Sequence, residues 1–234
     1  NIGFFKNFLY GMKRVETPFF SFLSDDDVLL PEFYETAMKK FEDFPDIGFF
    51  AGSTIAMSQK GEVLYALLSL WQREGYYAVP EGLFEMLDGK PPTWTAVVFR
   101  REVMEEIGVL DGEVGLPVDL DFILRAAARF PFVVSKNPCA IFVRHPFSYY
   151  CASADSHFLW PGWLKIIRNL TDDKRIPLDT RTKVEHSLRE WLKRMLFVYG
   201  VNAINRNDFK DAYRTAGILY DYCHSKIKAI SLFV

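Results

Sequence analysis

The sequence predicts a mixed α/β domain over residues 1–150, followed by an all-helical region over residues 151–234. Two observations carry this. Up to His145, short apolar runs bounded by turn residues ("TPFFSFL", "IGFFAG", "TWTAVVF") alternate with stretches of helical periodicity. Beyond His145 the strand signals stop, and apolar residues recur at helical spacing over long stretches. With 234 residues, half of them hydrophobic and 16% aromatic, the chain can build a sizeable core in one large domain, or in one domain with a smaller appendage.

The elements follow in order. "NIGFFKNFLYGMKR" predicts a helix with Phe4, Phe8 and Met12 on one face, and "TPFFSFL" a strand. Pro31 suits the first turn of a second helix, whose buried face carries Phe33, Ala37, Phe41 and Phe44. "IGFFAG" predicts a buried strand, and "TIAMSQKGEVLYA" a hairpin around Gln59-Lys60-Gly61. Pro80, Pro91 and Pro92 break residues 66–92 into short pieces of ambiguous type. "TWTAVVF" predicts a third strand and "RREVMEEIG" a short helix stopped by Gly108. After the loop "VLDGEVG", Pro117 opens a helix through about Arg129, and "FPFVVS" and "CAIFVRH" predict two further short strands. In the tail, helices are expected over Leu159–Leu170 and Thr182–Asn205, the longer one carrying Val184, Leu188, Trp191, Leu192, Met195 and Tyr199. A last helix, capped by Asn207 or Asp208, presents Ala212, Ala216, Leu219 and Cys223.

Bulk charge narrows the function. A net charge of −2 argues against a nucleic-acid partner held by a basic surface. Cys139, Cys151 and Cys223 are widely spaced and odd in number, which suits a reducing compartment better than a disulfide framework or a metal-ligand pair. No apolar stretch approaches the length of a membrane span and no signal peptide is visible, so a cytoplasmic location is expected. The chain opens on Asn and closes on the apolar "IKAISLFV", so both ends are expected to be cuts in a longer protein.

Three groups of residues suggest chemistry. "FSFLSDDDVLLP" crowds Asp25, Asp26 and Asp27 at the end of a strand, where like charges repel and burial worsens the repulsion. Ligands of α/β proteins bind beyond the carboxyl ends of strands, and hard cations such as Mg²⁺ or Mn²⁺ often take one or two carboxylates, with phosphates and water completing the shell. The plainer alternative is an acidic cap for the following helix, for which one aspartate would serve. Asp119 and Asp121 follow Pro117; Asp119 is either a helix-start acid or a base facing a cleft. Arg144 and His145 end a strand, where Arg144 can fork onto phosphate oxygens and His145 can ligate a metal, or simply end the strand in a solvated turn.

In this order the features resemble family 2 glycosyltransferases of the GT-A fold. The segment "FSFLSDDDVLLPEFYETAMKKFEDFPDIGFF" is similar to the strand with the aspartate metal motif, its helix and the next strand. "AVVFRREVMEEIGVLDGEVGLPVDLDFILRAA" is similar to the acceptor-side segment that leads into an "ED…LxxR" helix, and "CAIFVRH" to the closing strand. The resemblance covers roughly residues 1–148. It implies part of a GT-A-like, Rossmann-like mixed sheet flanked by helices. It implies an inverting, metal-dependent transfer of a hexose-type sugar from a nucleotide-diphosphate sugar to a hydroxyl of a saccharide or lipid-linked acceptor, as in polysaccharide biosynthesis. Residue by residue, it implies metal contact by Asp26 with Asp25 beside it against the donor, general-base work by Asp119, and phosphate or metal contact by Arg144 and His145. Leu124 and Arg125 match the end of the helix motif, with Arg125 bracing the site. Trp94, ahead of the third strand, offers a flat face to a sugar, or else is a core ring.

The chain also departs from the family. Ser24 stands where the metal motif usually begins with an acid, and Val118 replaces the first acid of the "ED" pair. The family's opening strand and nucleotide-gripping segment lie outside this sequence, so the chain as given is expected to bind donor poorly. The readings that compete are a non-catalytic sugar- or metal-binding module of the same fold and, with less support, a nucleotidyltransferase. "LREWLKRM" in the tail alternates basic and apolar residues, which suits either peripheral contact with the inner face of a membrane or the solvated side of a core helix.

Overall fold

Phe49, Phe50 and Ala51 are fully buried, as an apolar run becomes when both faces of its strand are covered. They open β3 (Phe49–Ser58), the centre of the sheet. The computed structural model describes residues 2–68, 71–88, 91–144 and 156–232. They fall into two compact units, one of Asn1–Gly112 with Asp119–Pro146, the other of Glu113–Val118 with Phe147–Val234.

The first unit is mixed α/β, a mixed sheet flanked by helices. Its elements are α1 (Phe4–Met12), β1 (Phe19–Ser21), β2 (Val28–Leu29), α2 (Phe33–Asp43), β3, β4 (Val63–Ala66), β5 (Gly75–Tyr77), α3 (Glu81–Leu87), a 3-10 turn (Trp94–Ala96), β6 (Val97–Arg100), α4 (Arg101–Ile107), α5 (Val118–Ala127) and β7 (Phe132–Arg144). The strands lie in the order β1-β6-β3-β7-β2, with β4 also on β3 and β5 also on β7. Among the described strands, only β3 and β7 run parallel.

Alternation along the strands divides the core between the two faces of the sheet. On one face Phe33, Ala37 and Phe41 of α2 pack on Phe50, Val98, Val133 and Ala140. On the other, Phe49 stacks on Phe132 at 4.4 Å, and Phe122 of α5 meets Phe99 edge-on at 5.2 Å. The hairpin expected at Gln59-Lys60-Gly61 joins β3 to β4, with Gly61 at φ 82° and its N–H donating to Ser58 O. Gly108, at φ 80°, ends α4 as expected.

Three sequence expectations need correction. "FPFVVS" and "CAIFVRH" are one strand, β7, which follows β3 along its whole length. The register jumps from Ser135 opposite Gly52 to Pro138 opposite Ser53, and β7 absorbs its extra residues there. Pro138 cannot donate a ladder hydrogen bond, which is why the sequence looks broken at that point. "TWTAVVF" begins as a 3-10 turn and extends only from Val97. The two-residue β2, too short for a periodic signal, was not foreseen in the sequence; it borders β7 at Ile141 and Ala140.

The second unit is helical among its described residues: α6 (Ser156–Thr171), α7 (Leu178–Asn205), α8 (Phe209–Asp221) and α9 (Lys226–Ile230). The buried stripe of α7 is Val184, Leu188, Leu192, Leu196, Gly200 and Ala203, and Trp191 meets Trp163 edge-on at 4.8 Å. Asp208 caps α8 by accepting from Asp211 N–H. Among the described residues, no helix is long and apolar enough to cross a membrane.

Candidate functional site

β1 delivers the chain to a turn over Ser24–Asp27, closed by Asp27 N–H donating to Ser24 O at 3.3 Å. The three carboxylates of this turn have separate fates. Asp27 is buried; its Oδ1 accepts from Val143 N–H at 3.1 Å and its Oδ2 from the Thr95 hydroxyl. Desolvation raises its pKa, the bonds from Thr95 and Val143 oppose that shift, and the charges of Asp26 and Asp25 add to it. Asp25 is exposed and Asp26 half-buried. The crowding is therefore eased by taking one carboxylate inward, where two donors hold it, and leaving its neighbours nearer to water.

The same bonds fix where the turn lies. Val143 and Thr95 tie it to the C-terminal end of β7 and to the 3-10 turn. Arg144, the next residue of β7, is exposed beside it and paired in register with Ser58. The backbone of the acidic turn thus lies next to the strand end that carries Arg144. His145 lies outside the described residues.

Asp119 stands in the first turn of α5 and accepts from Leu120 N–H at 2.8 Å. Its side chain reaches solvent, yet the surrounding protein weakens its hydration and raises its pKa, against the opposing bonds from the N–H groups of Leu120 and of Asp119 itself. Phe122, three residues on and so on the same helical face, packs edge-on to Trp94 at 6.0 Å, and Trp94 adjoins the Thr95 that holds Asp27. α5 thus packs against the element that anchors the acidic turn.

Trp94 itself is a core ring. It is 8% exposed and stacks on Phe22 at 3.8 Å, with Phe8 edge-on at 6.1 Å, so the flat face a sugar would use is covered.

Asp121 and Arg125 form a brace that the sequence shows only as an i,i+4 acid–base spacing. Asp121 is fully buried and bonds Arg125 Nε at 2.7 Å, while Arg125 Nη1 and Nη2 donate to Ile107 O and Val109 O. This ties α5 to the end of α4, and so sets the height at which Asp119 is held. Sequence reasoning missed the anchoring pair Asp27–Thr95, because a bond spanning that much chain leaves no local spacing signal.

Among the described residues, no group of three or more His, Cys, Asp or Glu side chains is assembled for a metal ion. Asp25 and Asp26 are the carboxylates of this turn that could hold a hard cation, which often takes one or two carboxylates and completes its shell from phosphate and water. No family model matches the chain, and no curated protein matches it.

Proposed function

We propose that the α/β unit belongs to the catalytic domain of a metal-dependent inverting glycosyltransferase acting on a nucleotide-diphosphate sugar. What supports this reading is that Asp27 ties the acidic turn to the end of β7 through Val143 and to the 3-10 turn through Thr95, and that α5 packs on Trp94 of that same 3-10 turn through Phe122. Asp26, with Asp25, would hold Mg²⁺ or Mn²⁺; when bound, the cation neutralises charge developing on the leaving diphosphate. Arg144 offers its guanidinium to the same phosphates. Asp119 takes the proton of the acceptor hydroxyl as that oxygen attacks the anomeric carbon, and its raised pKa makes it a stronger base than an ordinary aspartate. The acceptor is a saccharide or a lipid-linked saccharide.

A second reading, a non-catalytic sugar- or metal-binding module, draws on Val118. It sits where the family's paired acid would stand and is only 4% exposed, so that position has been given to packing.

One experiment separates the two. Full-length protein is assayed for hydrolysis and transfer with a panel of nucleotide sugars and Mn²⁺. Asp119→Asn should lower turnover by at least about a hundredfold, within the range of a lost general base, while metal-supported donor binding stays intact. Asp26→Ala should lose both. Donor binding without turnover in the wild type would establish the module; unchanged turnover in either variant would remove that residue's role.

A further inference from the structure

A cavity of about 350 Å³ opens within the helical unit, between α6, α7 and the connection from α8 to α9. That is within the range of small-molecule sites, about 300–1,000 Å³. Its chemistry is two-sided. Trp160 and Tyr222 line it, their ring centroids 4.7 Å apart, and Leu192, 2% exposed, supplies apolar wall. Arg189 and Lys193, one turn apart on α7, supply positive charge, and Cys223 and His224 complete the lining from the chain turn after α8.

The two cations are paired along their own helix, Arg189 with Glu185 at 2.8 Å and Lys193 with Glu190 at 2.6 Å. All four side chains are partly exposed, so these bridges are worth little and can be exchanged for a better-placed anion. The local field favours that exchange. Lys228 acts on both Glu190 and Cys223, so with Arg189 and Lys193 the cations here outnumber the carboxylates Glu185 and Glu190. The wider unit agrees, with fourteen Lys and Arg against ten Asp and Glu over residues 113–118 and 147–234.

We propose that this cavity binds a small organic anion, a phosphate or carboxylate carried on a flat apolar body, with the body against Trp160 and Tyr222 and the charge at Arg189 and Lys193. The site is separate from the acidic turn and does not depend on the glycosyltransferase reading.

Cys223 gives a local reporter, since it lines the cavity. The full chain is titrated with phenyl phosphate, benzoate and inorganic phosphate, and the alkylation rate of Cys223 is followed by mass spectrometry of its peptide. At least one aromatic anion should slow alkylation several-fold at concentrations where inorganic phosphate does not; which of the two does so identifies the anionic group. The double variant Arg189→Gln, Lys193→Gln should raise the half-protecting concentration by about tenfold or more, as expected for losing charged hydrogen bonds. Lys210→Gln, an exposed site on α8, should leave it unchanged. Absence of protection by both aromatic anions overturns the proposal. So does protection that survives the double variant, or that Lys210→Gln reduces equally, since either shows an effect not seated in this cavity.

Discussion

Asp27 is one of three adjacent aspartates, yet its surroundings give it a different task from its neighbours. A buried carboxylate with two donors closes the turn onto β7, while Asp25 stays exposed and Asp26 half-buried. Replacing it with Ala leaves Val143 N–H without its acceptor, which costs about 1–3 kcal/mol in chemical denaturation. Asp27→Asn keeps an acceptor for Val143 and should cost less. The pH dependence follows from the raised pKa. An acid whose folded pKa lies above its unfolded value, here 3.8, contributes stability that is complete below the unfolded value and is lost as pH rises through the folded one. The wild type should therefore gain on Asp27→Asn as the pH is lowered from neutral toward 4, as read from paired denaturation midpoints. A gap that stays constant or narrows would mean that the carboxylate is not held in a desolvated site.

The elements that could be read from the sequence were those whose signal is local. α2, α4, α5 and the Val184, Leu188 and Leu192 part of the α7 stripe follow from apolar periodicity and punctuation, and the β3–β4 hairpin from Gly61; the stripe continues through Leu196 and Gly200 rather than the expected Met195 and Tyr199, which are half-buried. β7 and β2 depend instead on partners far away in the chain. β2 exists because Val28 and Leu29 lie against Ile141 and Ala140, and β7 stays one strand across Pro138 because β3 lies beside it. The site follows the same rule. Asp26, Asp119 and Arg144 could be picked out as residue types at element ends, but the Thr95 and Val143 bonds that tie the turn in place could not. The irregularity in β7 carries its own prediction. Gly52 sits where the register shifts, and a Cβ there would run into the Cys139 side chain. Gly52→Ala should destabilise by about 1–3 kcal/mol, the usual cost of overpacking. Combining it with Cys139→Gly should cost less than the sum of the two single changes; strict additivity would show that Cys139 is not the obstacle.

Each compact unit has buried residues of its own, and charge is divided unevenly along the chain. Residues 1–146 hold fourteen Lys and Arg against twenty-one Asp and Glu, the reverse of the balance in residues 147–234. The net charge of −2 conceals this, so the argument it supports against a nucleic-acid partner held by a basic surface applies to residues 1–146 and not to residues 147–234. Hydrogen exchange should expose the two cores directly. In the α/β unit β3 is bonded on both sides, and Phe50, Ala51, Val133 and Val134 are fully buried, so their amides open only with the whole sheet. β4 is exposed at every position and, among the described strands, pairs with β3, so it can fray alone. Amides of β3 and β7 should exchange at least about a hundredfold more slowly than those of β4, reflecting the spread between local and global opening. In the helical unit the slow set should be Leu188, Leu192 and Leu196 of α7, with α9, where Ile227 is 85% exposed, among the fastest. Each unit should show its own ceiling of protection, because each slow set is enclosed by its own unit's side chains. Equal protection of β4 and β3 would mean that β4 is covered by something beyond the strands and helices described.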